Sequence, residues 1–292
     1  MTKTARENYH ARMRRVLDYI DRRLDEDLSL ATLSGVAAFS KHHFHRQFSA
    51  TFGVSAHRYV QLARMKRASY RLAFRDDADV TEIAMDAGYE APDAFARAFR
   101  DCVGQAPSAF RKSPDWEPWL AALEPLDRAR SANMTYPSND VTIRDFPATP
   151  VAALTHRGDP ALVYETVRRF IDWRRAAGLG RDVAATFTIF HCDPRTTPPG
   201  EFRLDLCAAT NRPIEANAQG VTAGLIPGGR CAVLRVIGSS ENLEQPALFL
   251  YRDWLPASGE EARDFPLFCQ RLSFYPDVLE HETVTELLLP IA

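Results

Sequence analysis

Apolar positions in the first hundred residues recur at helical spacing, and the pattern occurs twice. Between Tyr9 and Asp25 they fall at Met13, Val16, Leu17, Ile20 and Leu24, with basic residues on the opposite face. Ser29 offers an N-cap for a short helix over 30–37, Ala38-Phe39-Ser40 makes a turn, and Ser40 caps a helix running to about Phe52. In that helix Phe44, Phe48 and Phe52 stand four apart and share a buried face. Lys41, His42, His45, Arg46 and Ser49 remain on the open side. About fifty residues later Asp79-Val80-Thr81-Glu82 has capping-box spacing at a helix start. Gly88-Tyr89-Glu90 supplies the turn, and Phe95 and Phe99 again stand four apart. Leu33 corresponds to Ile83, Ala38 to Gly88 and Phe39 to Tyr89 at an offset of fifty. Phe44 corresponds to Phe95, Phe48 to Phe99, Gly53 to Gly104 and Tyr59 to Phe110 at fifty-one. Between the units, residues 59–74 read as one longer helix whose basic face is Arg64, Lys66, Arg67 and Arg71.

A short helix locked from behind by aromatic side chains can present its outward polar residues to a DNA major groove wide enough to admit it. Two such helices on one connecting helix can reach successive grooves, about 34 Å apart, without dimerisation. The stretches LATLSGVAAFSKHHFHRQFSATFGVSAHRYVQLARMKRA and VTEIAMDAGYEAPDAFARAFRDCVGQAPSAFRK resemble the DNA-binding domain of the AraC/XylS regulators over residues 9–112. The resemblance implies base-reading positions at His42, His45 and Arg46 in the first recognition helix, and at Pro92, Asp93 and Arg97 in the second. Lys41 and Ser49 join the candidate DNA contacts from the first helix's open face. Two residues depart from the family pattern. Ala38 stands where the first turn usually has glycine, which asks a residue with a Cβ to adopt a left-handed conformation. Pro92 and Asp93 stand where hydrogen-bonding amides are common; proline cannot donate, and aspartate repels phosphate unless it accepts from a cytosine amino group.

Beyond Ser113 the pattern changes. Pro114, Pro118 and Pro125 mark residues 113–138 as a linker with a helical middle around 119–130. From Val141 onward strand patterns dominate: VTIRDF, VAALTH, ATFTIFHCD and FRLDLCAAT, with a helix over 162–177. This half also repeats, at about eighty residues: Pro147 matches Pro227, Leu154 Leu234, Gly158 Gly238, Trp173 Trp254, and Gly178 Gly259. Each copy reads strand, turn, strand, helix, strand, which predicts an α+β module with antiparallel sheet. VTAGLIPGGRCAVLRVIG predicts a hairpin turning at Pro-Gly-Gly. FRLDLCAAT, GVTAGLIPGGRCAVLRVIG, YRDWLPASG and the terminal VTELLLPI resemble the GyrI-like effector-binding domain over residues 139–292. That resemblance implies an apolar, aromatic cleft for a small molecule, often a hydrophobic cation, with a buried glutamate as counter-charge. The glutamate's place falls on Cys269 or, one residue on, Gln270, so a neutral or weakly polar ligand fits as well as a cation. Trp173, Tyr251 and Trp254 complete the candidate ligand residues.

The sequence therefore predicts a multidomain protein. An all-α, homeodomain-like double helix-turn-helix domain (8–112) precedes a linker (113–138) and an α+β domain of two strand-helix-strand repeats (139–292). Composition refines this picture. The 292 residues carry a net charge of −2, yet the first 112 residues are at +5 and the rest at −7; a basic half joined to an acidic half fits a polyanion partner for the first only. The five widely spaced cysteines form no CxxC pair, and the N-terminus lacks an apolar signal core, so reduced thiols and a cytoplasmic location are expected. The expected partners are double-stranded DNA and a small-molecule effector, with RNA polymerase as a further candidate, and no cofactor, metal or membrane. No GxSxG, HExxH, Walker or GxGxxG motif occurs. His191-Cys192-Asp193 are strand neighbours that point to opposite faces, Asp205 reads as a surface or ion-pair residue, and His281 with Glu280 and Glu282 as a solvated turn. A ligand-responsive regulator is the leading reading. The alternatives for the second half are a small-molecule hydrolase and a protein-interaction inhibitor module.

Overall fold

The computed structural model describes residues 3–75, 78–131, 140–239 and 243–292. The chain divides into two compact units: Met1–Thr135 with Leu279–His281, and Tyr136–Val278 with Glu282–Ala292.

The first unit is helical: α1 (Lys3–Arg22), α2 (Leu30–Val36), α3 (Lys41–Phe52), α4 (Ala56–Phe74), α5 (Val80–Asp86), α6 (Pro92–Val103), α7 (Pro107–Lys112) and α8 (Trp116–Ser131). Ser29 and Ser40 cap α2 and α3 as expected, accepting from the Thr32 and His43 amides. Asp79 stands at the N-cap of α5 but makes no side-chain capping bond, so the predicted capping box does not form. Behind α3, Phe48 meets Tyr59 edge-on at 5.8 Å. Behind α6, Phe99, Phe110, Trp116 and Trp119 form a chain of edge-on contacts at 5.3–5.5 Å. These rings are almost fully buried, and each anchors a short helix that could not hold its shape alone.

Two expectations for this unit need correction. The stretch read as a linker is mostly α8, whose Trp116, Trp119, Leu123, Leu126 and Ala129 are core residues of this unit; its prolines stand near the helix start and within it. Residues 132–138 of that stretch lie outside the described residues, as does residue 139. The basic face of α4 is turned inward. Arg64 donates to the Leu24 and Glu26 carbonyls at 2.6 and 2.7 Å, Arg67 to the Asp86 carbonyl, and Arg71 to Glu82 and Asp86. Lys66, 1% exposed, donates to Asp127 at 2.8 Å and Glu280 at 2.9 Å. These cations close helix ends and pair with carboxylates of their own unit, Glu280 among them buried, rather than facing a partner. Glu280 is accordingly buried and not part of a solvated turn. Burial alone would raise its pKa, but Arg130 and Lys66 beside it hold the carboxyl at about 2.

The second unit is an eight-stranded antiparallel sheet accompanied by helices. Its strands are β1 (Val141–Phe146), β2 (Thr149–Arg157), β3 (Thr186–Phe190), β4 (Arg203–Ala209), β5 (Thr222–Ile226), β6 (Gly229–Ile237), β7 (Phe268–Arg271) and β8 (Val284–Pro290), in the order β1-β6-β8-β7-β3-β4-β2-β5. In the first copy α9 (Val163–Ala176) covers the sheet. In the second, α10 (Glu244–Leu248) runs through a π-helical turn (Phe249–Trp254) into α11 (Leu255–Ser258). The repeat holds at the backbone level: Gly158 and Gly238 have φ of 118° and 123°, and Gly178 and Gly259 of 63° and 75°.

The predicted Pro-Gly-Gly hairpin does not form. β5 pairs with β2 and β6 pairs with β1 and β8, so each copy lends its first strand to the other. The two-residue links Pro147-Ala148 and Pro227-Gly228 therefore carry the chain between opposite ends of the strand order, and the sheet must curl. The links touch where they pass. A Cβ on Gly228 would lie 2.7 Å from the Ala148 nitrogen and 3.1 Å from the Phe146 carbonyl oxygen, which is why glycine stands there. Antiparallel partners share a face. Leu154, Leu206, Thr188, Cys269 and Leu287 thus line one face, where α9 packs through Phe170 and Trp173. Val151, Cys207, Phe187, Phe268, Leu288 and Val233 fill the other.

Candidate nucleic-acid interface and effector site

In α3, Phe44, Phe48 and Phe52 are buried, while Lys41, His42, His43, His45 and Arg46 are exposed and Ser49 is half-buried. The Ser40 cap fixes where the helix starts and hence which side chains leave the core. His43 is held in place by stacking on Phe39, ring centroids 4.7 Å apart, with the Arg12 guanidinium 5.5 Å from the same ring. In α6, Phe95 and Phe99 are buried, and Pro92, Asp93, Arg97 and Arg100 are exposed. Every DNA-contact residue expected from the sequence thus lies on the outward side of one of these two helices. The turn before each helix is closed the same way. Ala38 donates its amide to Gly35 O and Phe39 to Ser34 O, just as Gly88 donates to Met85 O and Tyr89 to Ala84 O. Both turn residues are left-handed, Ala38 at φ 53° and Gly88 at 79°.

Of the ligand residues expected in the second unit, Trp173 alone lines the cavity beside α9. Trp173, nearly buried and stacked parallel on Phe170 at 6.0 Å, lines a cavity of ≈ 300 Å³ at the end of α9. Leu179, Arg212, Pro213, Ile214 and Glu215 form its other walls. Leu179 of this wall is held by Arg174, which donates to the Leu179 and Ala184 carbonyls and the Thr186 hydroxyl at 2.6–2.8 Å. Desolvation lowers the Arg174 pKa to about 10. Trp254 is buried and Tyr251 exposed in the second copy's helix. Cys269 and Gln270 are adjacent in β7 and so point to opposite faces: Cys269 to the helix-covered side, Gln270 to the other. Burial pushes the Cys269 thiol up, which keeps it protonated and a poor nucleophile.

Two carboxylates lie deeper than the strand pattern suggests. Asp205, expected at the surface or in an ion pair, is 7% exposed and is ion-paired. It accepts from the Thr155 hydroxyl and from His191 Nε2, both at 2.6 Å, and from Arg203 at 3.3 Å. Burial would raise its pKa, but these donors hold it at about 2. Glu286 is its counterpart in the second copy, 8% exposed, opposite Gln270 in the ladder and paired with Arg144. The available signal was an acid interrupting an apolar strand at the same place in both copies, FRLDLCAAT and VTELLLPI. His191 does meet a carboxylate, but the nearby Thr155 hydroxyl bonds to Asp205 and not to the imidazole, so the trio is not a nucleophile–base–orienter arrangement. Among the described residues, no group of three or more His, Cys, Asp or Glu side chains is disposed to hold a metal ion, and no helix is long and apolar enough to cross a membrane.

Comparison with known proteins adds the following. Residues 139–292 match the family of GyrI-like small molecule binding domains, and residues 33–113 match a helix-turn-helix domain family. The "Probable transcriptional regulator YgiV" of Escherichia coli (strain K12) is 39% identical over 160 residues, which is 54% of this chain and all of that protein. An HTH-type transcriptional regulator of Staphylococcus aureus (strain COL), SACOL0084, is 32% identical over 100 residues, 34% of this chain and 13% of that protein. Among solved structures, the DNA-binding domain of AdpA in complex with a target DNA matches 35% of this chain and 90% of its own, at 27% identity and a TM-score of 0.33.

Proposed function

The chain belongs to the GyrI-like small molecule binding family and carries a helix-turn-helix DNA-binding half ahead of that domain, and from this premise we propose that a small molecule bound in the second unit sets how tightly the first grips its operator. The observation that carries the reading is the outward face of α3: two permanent cations and three imidazoles, no carboxylate, backed by three buried phenylalanines. Such a face is attracted to phosphate and presents donors to guanine O6 and N7. Arg46 and Arg97 are the principal base contacts, with Lys41, His42, His45, Ser49 and Asp93 around them. The effector occupies the cavity walled by Trp173, Leu179 and Ile214. Its volume lies at the lower end of the range for small-molecule pockets, roughly 300–1,000 Å³. Trp254, Tyr251, Cys269 and Gln270 do not line this cavity.

The regulator works by binding, in the cytoplasm, and passes its signal to RNA polymerase through operator occupancy. Effector and operator are linked by one coupling free energy, so whatever factor the effector applies to operator affinity, the operator applies to effector affinity. A duplex selected from a random pool by the full chain, followed by anisotropy titration with Arg46→Ala, tests the DNA reading. Arg46→Ala is expected to reduce discrimination against a scrambled duplex by about 1–3 kcal/mol. Equal binding to both duplexes by wild type and variant overturns it. For the effector, Ile214→Trp fills the cavity; it is expected to abolish the thermal shift given by a hit from a small-molecule panel while leaving DNA binding intact. A hit whose shift survives the substitution sends the effector site elsewhere.

A further inference from the structure

The two recognition helices are the same device with different faces. Each has twelve residues, buries phenylalanine at its fourth and eighth positions, and ends on a left-handed glycine, Gly53 or Gly104. Their positions therefore correspond one to one at an offset of fifty-one. Lys41 answers to Pro92, His42 to Asp93, His43 to Ala94, His45 to Ala96 and Arg46 to Arg97. Of these five positions only the last carries the same side chain in both. Where α3 has four further side chains able to donate a hydrogen bond, α6 has a proline, two alanines and an acceptor. The charges differ too: the outward cations of α3 face no acid on their own helix, whereas Arg97 and Arg100 of α6 are matched by exposed Asp93 and Asp101. α4 does not make up the difference, because Arg64, Lys66, Arg67 and Arg71 are engaged within the unit.

Resting on the reading of this half as DNA-binding, we propose that sequence discrimination is concentrated under α3, that α6 reads through Arg97 alone, and that Asp93 weakens the hold on every duplex. Base edges are told apart by patterned donors and acceptors. Ahead of Arg97 the face of α6 is proline, alanine and aspartate and supplies no donor, and Arg100 lies a turn further from the helix start. A carboxylate beside the phosphates repels them whatever the sequence. The operator is then asymmetric: one well-defined block, and about one helical turn away a block with a single strong position.

The test takes the full chain and its selected duplex and replaces each base pair in turn. Substitutions in one contiguous block are expected to lower affinity about 5- to 100-fold each. In the second block one position responds so and its neighbours change affinity less than about threefold. Arg46→Ala flattens the strong block and Arg97→Ala the single position. Asp93→Asn, at an exposed site where the lost charge costs the helix start little, raises affinity for selected and scrambled duplexes alike by about two- to fivefold. Two blocks of equal strength overturn the proposal. So does an Asp93→Asn variant that loses affinity at a single C·G pair, which would make Asp93 a base reader. Failure to bind any duplex in dilute salt overturns this proposal together with the DNA-binding reading beneath it, whereas equal blocks leave that reading standing.

Discussion

Ala38 and Gly88 occupy the same left-handed position in two matching turns, at φ 53° and 79°, so exchanging their residues in opposite directions has calculable and unequal effects. A residue with a Cβ costs about 1–2 kcal/mol in this conformation relative to glycine. Glycine, in return, gives the unfolded chain extra freedom worth about 0.4–1 kcal/mol. Ala38 is exposed, and its methyl leaves no cavity when removed. Ala38→Gly is therefore expected to stabilise the helical unit by about 0.5–1 kcal/mol. Gly88→Ala is not the simple reverse. Its new Cβ would lie 2.7 Å from Arg64 Cζ and within 3.0 Å of both terminal nitrogens. Arg64 cannot yield freely, because it donates to Leu24 O and Glu26 O. Charge-assisted hydrogen bonds contribute about 1.5–3 kcal/mol each when buried, and less for this half-buried side chain. Gly88→Ala should thus cost about 2–4 kcal/mol in total. With Arg64→Ala already in place, the cost should fall to about 1 kcal/mol, the backbone share alone. Urea titration of the full chain, followed by helical circular dichroism at 222 nm, reads all five proteins, the wild type and the four variants. A Gly88→Ala cost that is the same with and without Arg64 refutes the steric argument, and a destabilised Ala38→Gly refutes the conformational one.

Asp205 is held at about 2 in the folded chain against an ordinary 3.8. It therefore contributes about 2 kcal/mol of stability that is complete above roughly pH 4 and lost as pH falls through about 2. Asp205→Asn should lose this at neutral pH and converge on wild type near pH 2 in urea titrations read by tryptophan fluorescence; a gap that persists unchanged in acid would assign the effect to something other than charge. Gly228→Ala drives a Cβ against backbone that cannot swing aside, and a loss of about 2–4 kcal/mol is expected by differential scanning calorimetry. A neutral result there would mean that the two links do not touch. Ser40→Ala removes the cap on the His43 amide and should cost about 1 kcal/mol, with weaker operator binding because α3 frays at the end that carries Lys41 and His42; unchanged affinity in an anisotropy titration would separate the cap from the interface.

Most helix positions, the serine caps and the outward residues of α3 were legible in the sequence because they follow from local rules. Phenylalanines four apart must share a face, serine before an apolar run caps, and Ala38 had to be left-handed because its counterpart is a glycine. Both internal repeats and most of the strands were legible for the same reason, although each copy has four strands where its repeat reads three, and β7 was not foreseen. Partner choice was not. Neither the Pro-Gly-Gly segment nor the arginines of α4 announce what they will meet. A two-residue proline link closes a hairpin or sends the chain across a curled sheet according to which strand edge lies nearby, and only the assembled pair of copies decides. Likewise an arginine on a helix reads as a solvated cation until a carbonyl from forty residues away, as Leu24 does for Arg64, takes its donors. The buried carboxylates Asp205 and Glu286 belong to the same class, since a charge in an apolar strand is tolerable only beside counter-charges that the folded chain supplies.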